Sequence, residues 1–242
     1  KATSDLFSVE LDDVTILDFL RQFAANHSVT ERRLLERILA GPLVHVDETK
    51  INIHGENQYV WVVTDGERVI LRLTATRESS FIQELLDGYD GILISDFYGG
   101  YDALPCRQQK CLVHLIRDLN DDLWKNPFDT EYERFVSAFR DLLTPILEDV
   151  ERFGLKARHL KKHRKGVDRF YEQMIVDTAP RSEVTAAYVK RFIRYRASLF
   201  TFLDHDGISW NNNCAERALR HFAIQRKISG WFSAKGAPLY LR

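Results

Sequence analysis

The chain has 242 residues, of which 45% are hydrophobic and 29% charged, and its formal net charge is −1. These proportions are those of an ordinary globular protein rather than a disordered or fibrous one. No apolar run approaches the roughly 18 residues needed to span a bilayer, so a membrane partner is not expected.

The start, Lys1-Ala2-Thr3-Ser4-Asp5, is polar and unlike a secretory signal. Three cysteines, Cys106, Cys111 and Cys214, make no disulfide framework and point to a cytoplasmic location. The single methionine is Met174, which leads us to expect a fragment or a processed form. The small net charge hides an asymmetry. Residues 1–150 carry 15 Lys+Arg against 27 Asp+Glu, and residues 151–242 carry 19 against 8. An acidic half suits metal binding and a basic half suits phosphates, although a solvated charged surface has the same composition.

In chain order, residues 4–27 read as a loose helix through Leu17, Leu20 and Phe23. A second helix is predicted from an N-cap at Thr30, with a stripe at Leu34, Leu35, Ile38 and Leu39 that Gly41-Pro42 stops. The period then changes. Strands are predicted at Leu43–Ile53, Tyr59–Thr64 and Val69–Thr74, the last two joined by a turn at Asp65-Gly66. A short helix at Ser79–Leu86 leads to an apolar strand, Ile92–Ser95, and a fifth strand is predicted at Gln109–Val113 before a helix over His114–Trp124. From Glu131 to Phe202 the pattern is helical, including a basic stretch at Lys156–Arg169, and a final helix is predicted over Asn212–Arg226. The expected fold is therefore α/β, a mixed five-stranded sheet flanked by helices, with a helical insertion before the last helix. The expected segments are 1–41, 42–128, 129–207 and 208–242.

Three carboxylates stand at informative places. Asp47 lies in the first strand, Asp96 ends the fourth, and Glu216 sits on the last helix. Two strand-end aspartates and a helix glutamate could converge on a pair of divalent ions about 3.5–4 Å apart, the arrangement that cleaves phosphodiesters. Magnesium prefers such oxygen donors. Each also has a structural reading: Asp47 as a turn residue, Asp96 as a helix cap, Glu216 as the i+4 partner of Arg220. Spacing alone does not set aside Glu48, Asp90, Asp102 or Asp118.

Several blocks carry a resemblance. His45-Val46-Asp47-Glu48-Thr49, Ser95-Asp96-Phe97-Tyr98-Gly99-Gly100-Tyr101, Cys111-Leu112-Val113-His114, and Asn212-Asn213-Cys214-Ala215-Glu216-Arg217 with Arg226-Lys227 occur in that order. Together they resemble the DDE transposases of bacterial insertion sequences, of the insertion sequence sixty-six family. The resemblance implies an RNase H-like fold and a catalytic triad of Asp47, Asp96 and Glu216 holding two Mg2+ or Mn2+ ions. The reaction it implies is cleavage of transposon ends and transfer of the freed 3′-hydroxyl into target DNA. It implies transposon-end and target DNA as partners, a homodimer on DNA, and a nucleoid-associated protein. His114 would support the site. A zinc site of Cys106, Cys111 and His114 lacks an evident fourth ligand.

Basic residues supply the expected DNA contacts: Arg217, Arg220, Arg226 and Lys227 around the last helix, and Arg158, Lys161, Lys162, Arg164 and Lys165 in the densest cluster. Trp210 and Trp231 are candidates for stacking on an unpaired base. End recognition is expected to lie outside this chain, since residues 1–40 hold no cysteine. The rival readings are an RNase H-like nuclease that only hydrolyses, and a domesticated DNA-binding protein with an inert site.

Overall fold

The computed structural model describes residues 12–53, 55–177 and 179–229. The protein is α/β, with a five-stranded mixed sheet flanked by helices, as the hydrophobic periods predict. It divides into two compact units. One comprises the chain up to Tyr89 together with the segment from Asn213 onward; the other is Asp90–Asn212.

In the first unit, helix α1 (Asp13–Leu39) is continuous, whereas two helices are predicted there. No Gly or Pro interrupts it. Ser28 bonds back to the Ala25 carbonyl at 2.9 Å and the His27 ring meets the Phe23 carbonyl at 2.8 Å, so both polar side chains are satisfied within the helix. The cap is Asp12, whose carboxylate accepts the Thr15 N–H at 2.6 Å, and not Thr30. The earlier part of the predicted first helix lies outside the described residues.

Strands β1 (Leu43–Ile53), β2 (Glu56–Thr64) and β3 (Val69–Thr74) form an antiparallel meander. In the β2–β3 turn the Asp65 carboxylate accepts the Glu67 and Arg68 N–H groups at 3.0 and 2.7 Å, and Gly66 supplies a φ of 95°. Arg72 of β3 pairs with Glu31 of α1. Helix α2 (Ser80–Leu85) follows. Helix α7 (Asn213–Ser229) closes the unit, laying Ala215, Leu219 and Phe222 against Ile51, Ile53, Val60 and Val62. These three helix positions recur at i, i+4 and i+7, one face of an α-helix.

In the second unit, β4 (Ile92–Ser95) pairs in parallel with β5 (Arg107–Lys110). The predicted fifth strand, Gln109–Val113, is thus misplaced. β5 reads Arg-Gln-Gln-Lys and carries no apolar signal, while Leu112, Leu115 and Leu119 are buried at helical spacing on α3 (Leu112–Lys125). Cys111 is the boundary: its N–H still bonds the Ser95 carbonyl at 2.8 Å while it caps α3.

The stretch predicted to be helical throughout is a helical body. Helix α4 (Thr130–Phe153) is followed by short turns over Ala157–His163, then α5 (Arg164–Tyr171) and α6 (Glu183–Arg194). Its centre is aromatic: Phe192 lies 5.2–5.6 Å from the rings of Phe135, Phe139 and Phe170. The predicted helix to Phe202 stops at Arg194 because β5 draws the following segment in. The Gln109 side chain donates to the Leu199 carbonyl at 3.0 Å and accepts the Phe202 N–H at 3.0 Å, and the Thr201 hydroxyl donates to the Gln108 carbonyl at 2.7 Å.

Candidate functional site

Asp47 and Glu216 belong to the same unit. Asp47 sits opposite Val62 in the β1–β2 register. Directly opposed residues of an antiparallel pair project from the same face, and Val62 is part of the apolar face that α7 covers. Asp47 therefore points to the α7 side of the meander. Glu216, in the first turn of α7, follows Ala215, which is itself packed on that face. A carboxylate in the first turn is favoured by the helix dipole. Both residues are half-buried, and the Asp47 carboxylate accepts the Glu48 N–H at 2.9 Å.

Asp96 lies in the second unit, immediately after β4, and is half-buried. Its Oδ1 accepts the Tyr98 N–H at 2.9 Å, a local turn that fixes the side chain at the strand end, and it makes no ion pair among the described residues. Beneath it the chain holds a lysine inside the fold. Lys110 of β5 is buried; its ammonium meets Ser95 Oγ at 3.3 Å and Asp102 Oδ1 at 3.4 Å, with the Tyr101 and Tyr195 rings 5.4 and 5.5 Å away. Burial lowers the Lys110 pKa, and the neighbouring Asp102 and then Asp96 oppose that shift. The sequence reading missed Lys110. Its only signal is a lysine at the inward end of a strand beside an Asp-Phe-Tyr turn.

Three of the four competing carboxylates are engaged by cations. Glu48, on the opposite face of β1 from Asp47, is bonded by Arg77 Nε at 2.7 Å. Asp118 takes Arg191 at 2.8 Å, and Asp102 takes Arg194 at 2.6 Å and the Tyr195 hydroxyl at 3.0 Å. Asp90 is exposed. Oxygen donors of the kind Asp47, Asp96 and Glu216 offer suit a hard cation such as magnesium.

Cys111 and His114 come together at the start of α3, their ligand atoms within 4.8 Å of one another. Cys111 is buried and its sulfur accepts the Asn212 N–H at 3.3 Å. Cys106 joins no group of metal ligands among the described residues, and burial raises its thiol pKa. The Trp210 carbonyl accepts the Leu112 N–H at 2.9 Å. Trp231 lies outside the described residues.

The expected DNA contacts separate into two kinds. Arg217, Arg220 and Lys227 are exposed on α7, while the Arg226 side chain lies outside the described residues. In the second cluster Arg158, Lys161 and Lys165 are exposed. Lys162 pairs with Asp149 at 2.7 Å, and Arg164 bonds Asp204, its Nε at 3.2 Å from the carboxylate. Those two have structural work within the fold.

A family model described as "Transposase IS66 family" matches residues 2–238. No curated protein sequence matches the chain. Among solved structures it is similar to the HTLV-2 integrase catalytic core domain in complex with magnesium (trimeric form), at 15% identity and a TM-score of 0.22, over 36% of this chain and 74% of that one. With the match extending over nearly its whole length, the chain belongs to the transposase IS66 family.

Proposed function

We propose that this chain is the RNase H-like catalytic core of a DNA transposase, in which Asp47, Asp96 and Glu216 form a DDE triad. The family match over residues 2–238 carries the reading. The placement of each carboxylate supports it. Asp47 and Glu216 serve the α7 side of the β1–β3 meander, and Asp96 stands at the mouth of β4. No described helix is long and apolar enough to cross a membrane.

The three carboxylates would hold two magnesium or manganese ions, which when bound supply the Lewis acidity and charge neutralisation that phosphoryl transfer requires. The chain's own contribution is positional. The turn from Asp96 to Tyr98 presents one carboxylate, and the α7 apolar stripe seats Glu216 against the sheet. Exposed Arg217 and Arg220 offer charge to the DNA backbone without reading sequence. No protein nucleophile is needed. The substrates are transposon-end DNA and target DNA, and a pair of copies would act together on two ends.

The test is Asp96→Asn assayed on end DNA with magnesium. The variant is expected to fold normally, to lose cleavage, and to lose joining of pre-cleaved ends. Retained cleavage in that variant sinks the triad. Cleavage by the unaltered protein without any joining of pre-cleaved ends favours a nuclease that only hydrolyses.

A further inference from the structure

The second unit contains a cavity of about 440 Å³ that the triad does not use. It opens beside the start of β5, where Arg107 stands, and its wall includes Arg164, Arg194, Tyr195 and His205. Such a volume is in the range of small-ligand pockets. Its charge is unbalanced. Asp204 is engaged by Arg164, and Asp102 is shared by Arg194 and the buried Lys110. Among the lining residues two carboxylates, Asp102 and Asp204, thus face three guanidinium groups, those of Arg107, Arg164 and Arg194. Arg107 is exposed and makes no hydrogen bond or ion pair among the described residues. A second sign of the field comes from His205. Burial first, then Arg107, Lys161 and Arg164, hold its pKa below the ordinary value. The cations among those causes mark a positive local field, which favours an anion.

We infer that this pocket is a phosphate-binding site, in which Arg107, Arg194 and His205 hold a backbone phosphate of the DNA substrate away from the carboxylate triad. Guanidinium groups match phosphate oxygens in a planar fork, and a free Arg107 at the rim lets the pocket gain a contact without breaking one. The inference rests on the reading that the chain acts on DNA.

The experiment measures binding of a labelled DNA duplex in EDTA, so that cleavage plays no part. Arg107→Gln and His205→Gln are compared with the unaltered protein across a salt series. Arg107→Gln is expected to weaken binding about threefold and to reduce the salt slope by about one, and His205→Gln to weaken binding with little change of slope. Arg107→Lys is expected to recover most of the loss. Because Arg107 is exposed and unbonded, thermal unfolding of Arg107→Gln should match the parent. Unchanged affinity and slope in both Gln variants overturn the pocket while leaving the triad intact, since the parent still cleaves. If inorganic phosphate perturbs the His205 resonances but added DNA does not, the pocket serves a free anion and the DNA assignment fails. If the parent binds no DNA at all, the proposed function fails with it.

Discussion

Lys110 and Ser95 stand opposite one another in the parallel register of β5 and β4, and the lysine's ammonium reaches the serine hydroxyl at 3.3 Å. Ser95 in turn donates to the Asp96 carbonyl at 3.2 Å. A buried lysine is thereby tied, through one hydroxyl, to the backbone of a proposed catalytic aspartate.

Substituting Lys110 by Met keeps the length of the side chain and removes its amino group. Asp102 retains Arg194 and the Tyr195 hydroxyl, so no carboxylate is left alone. The expected loss of stability is about 1 kcal/mol or less. Magnesium-dependent cleavage is expected to fall about 10–100-fold, as when a group that orients a metal ligand is removed. Cleavage rates and denaturant unfolding of the same preparation separate the two effects. Full activity would show that the Lys110–Ser95 link does not orient Asp96.

Arg77→Ala removes the guanidinium that bonds Glu48, whose side chain is only 2% exposed. Loss of that buried contact is expected to cost roughly 1–3 kcal/mol. Replacing Glu48 by Gln in the same protein should recover part of that loss, and a double-mutant cycle in urea measures how much. The pair lies on the face of β1 away from Asp47, so cleavage by the refolded variants should be retained.

Phe192→Ala removes the ring at the centre of the aromatic cluster and is expected to destabilise the second unit by about 3–5 kcal/mol. Near-ultraviolet circular dichroism during thermal unfolding reports it directly. A cost under 1 kcal/mol would mean that Phe135, Phe139 and Phe170 collapse into the space.

Acid should weaken the fold in two stages. His205 has a pKa held below 6.5 in the folded protein, so the folded state takes up that proton less readily and stability declines as pH falls below about 6.5. The carboxylates of Asp149, Asp129 and Asp122 are the opposite type. Hydrogen bonds from Lys162 and His163, from Ser182, and from Lys125 and Tyr188 lower their pKa values below 3.8. Their stabilisation is present above about 3.8 and is lost as pH falls further. In unfolding measured from pH 7.5 to 3, His205→Gln should remove the first decline and leave the second.

Much of this was legible in the chain because alternation and helical spacing are direct images of burial. β1, β3 and β4 were read to the residue, since Leu43–Ile53, Val69–Thr74 and Ile92–Ser95 are bounded by turn residues and filled by β-branched or aliphatic side chains. β5 was not, because Arg107–Lys110 is a polar strand whose glutamines bond the 199–202 segment. The settings of Asp47 within β1, of Asp96 after β4 and of Glu216 on α7 were readable in the same way. The pairing of Asp102 with Lys110, and of Glu48 with Arg77, was not, because ion pairs between residues 8 and 29 positions apart leave no periodic trace.

Helix α7 covers the apolar face of a meander whose strands precede it by more than a hundred residues. During synthesis at about 5–20 residues per second, the interval between Asp96 and Glu216 lasts roughly 6–24 s. Over that time the contiguous Asp90–Asn212 segment can gather its own core, while Ile51, Val60 and Val62 wait uncovered. A nascent chain thus presents Asp47 and Asp96 well before Glu216, and in the meantime it exposes an adhesive sheet surface to chaperones.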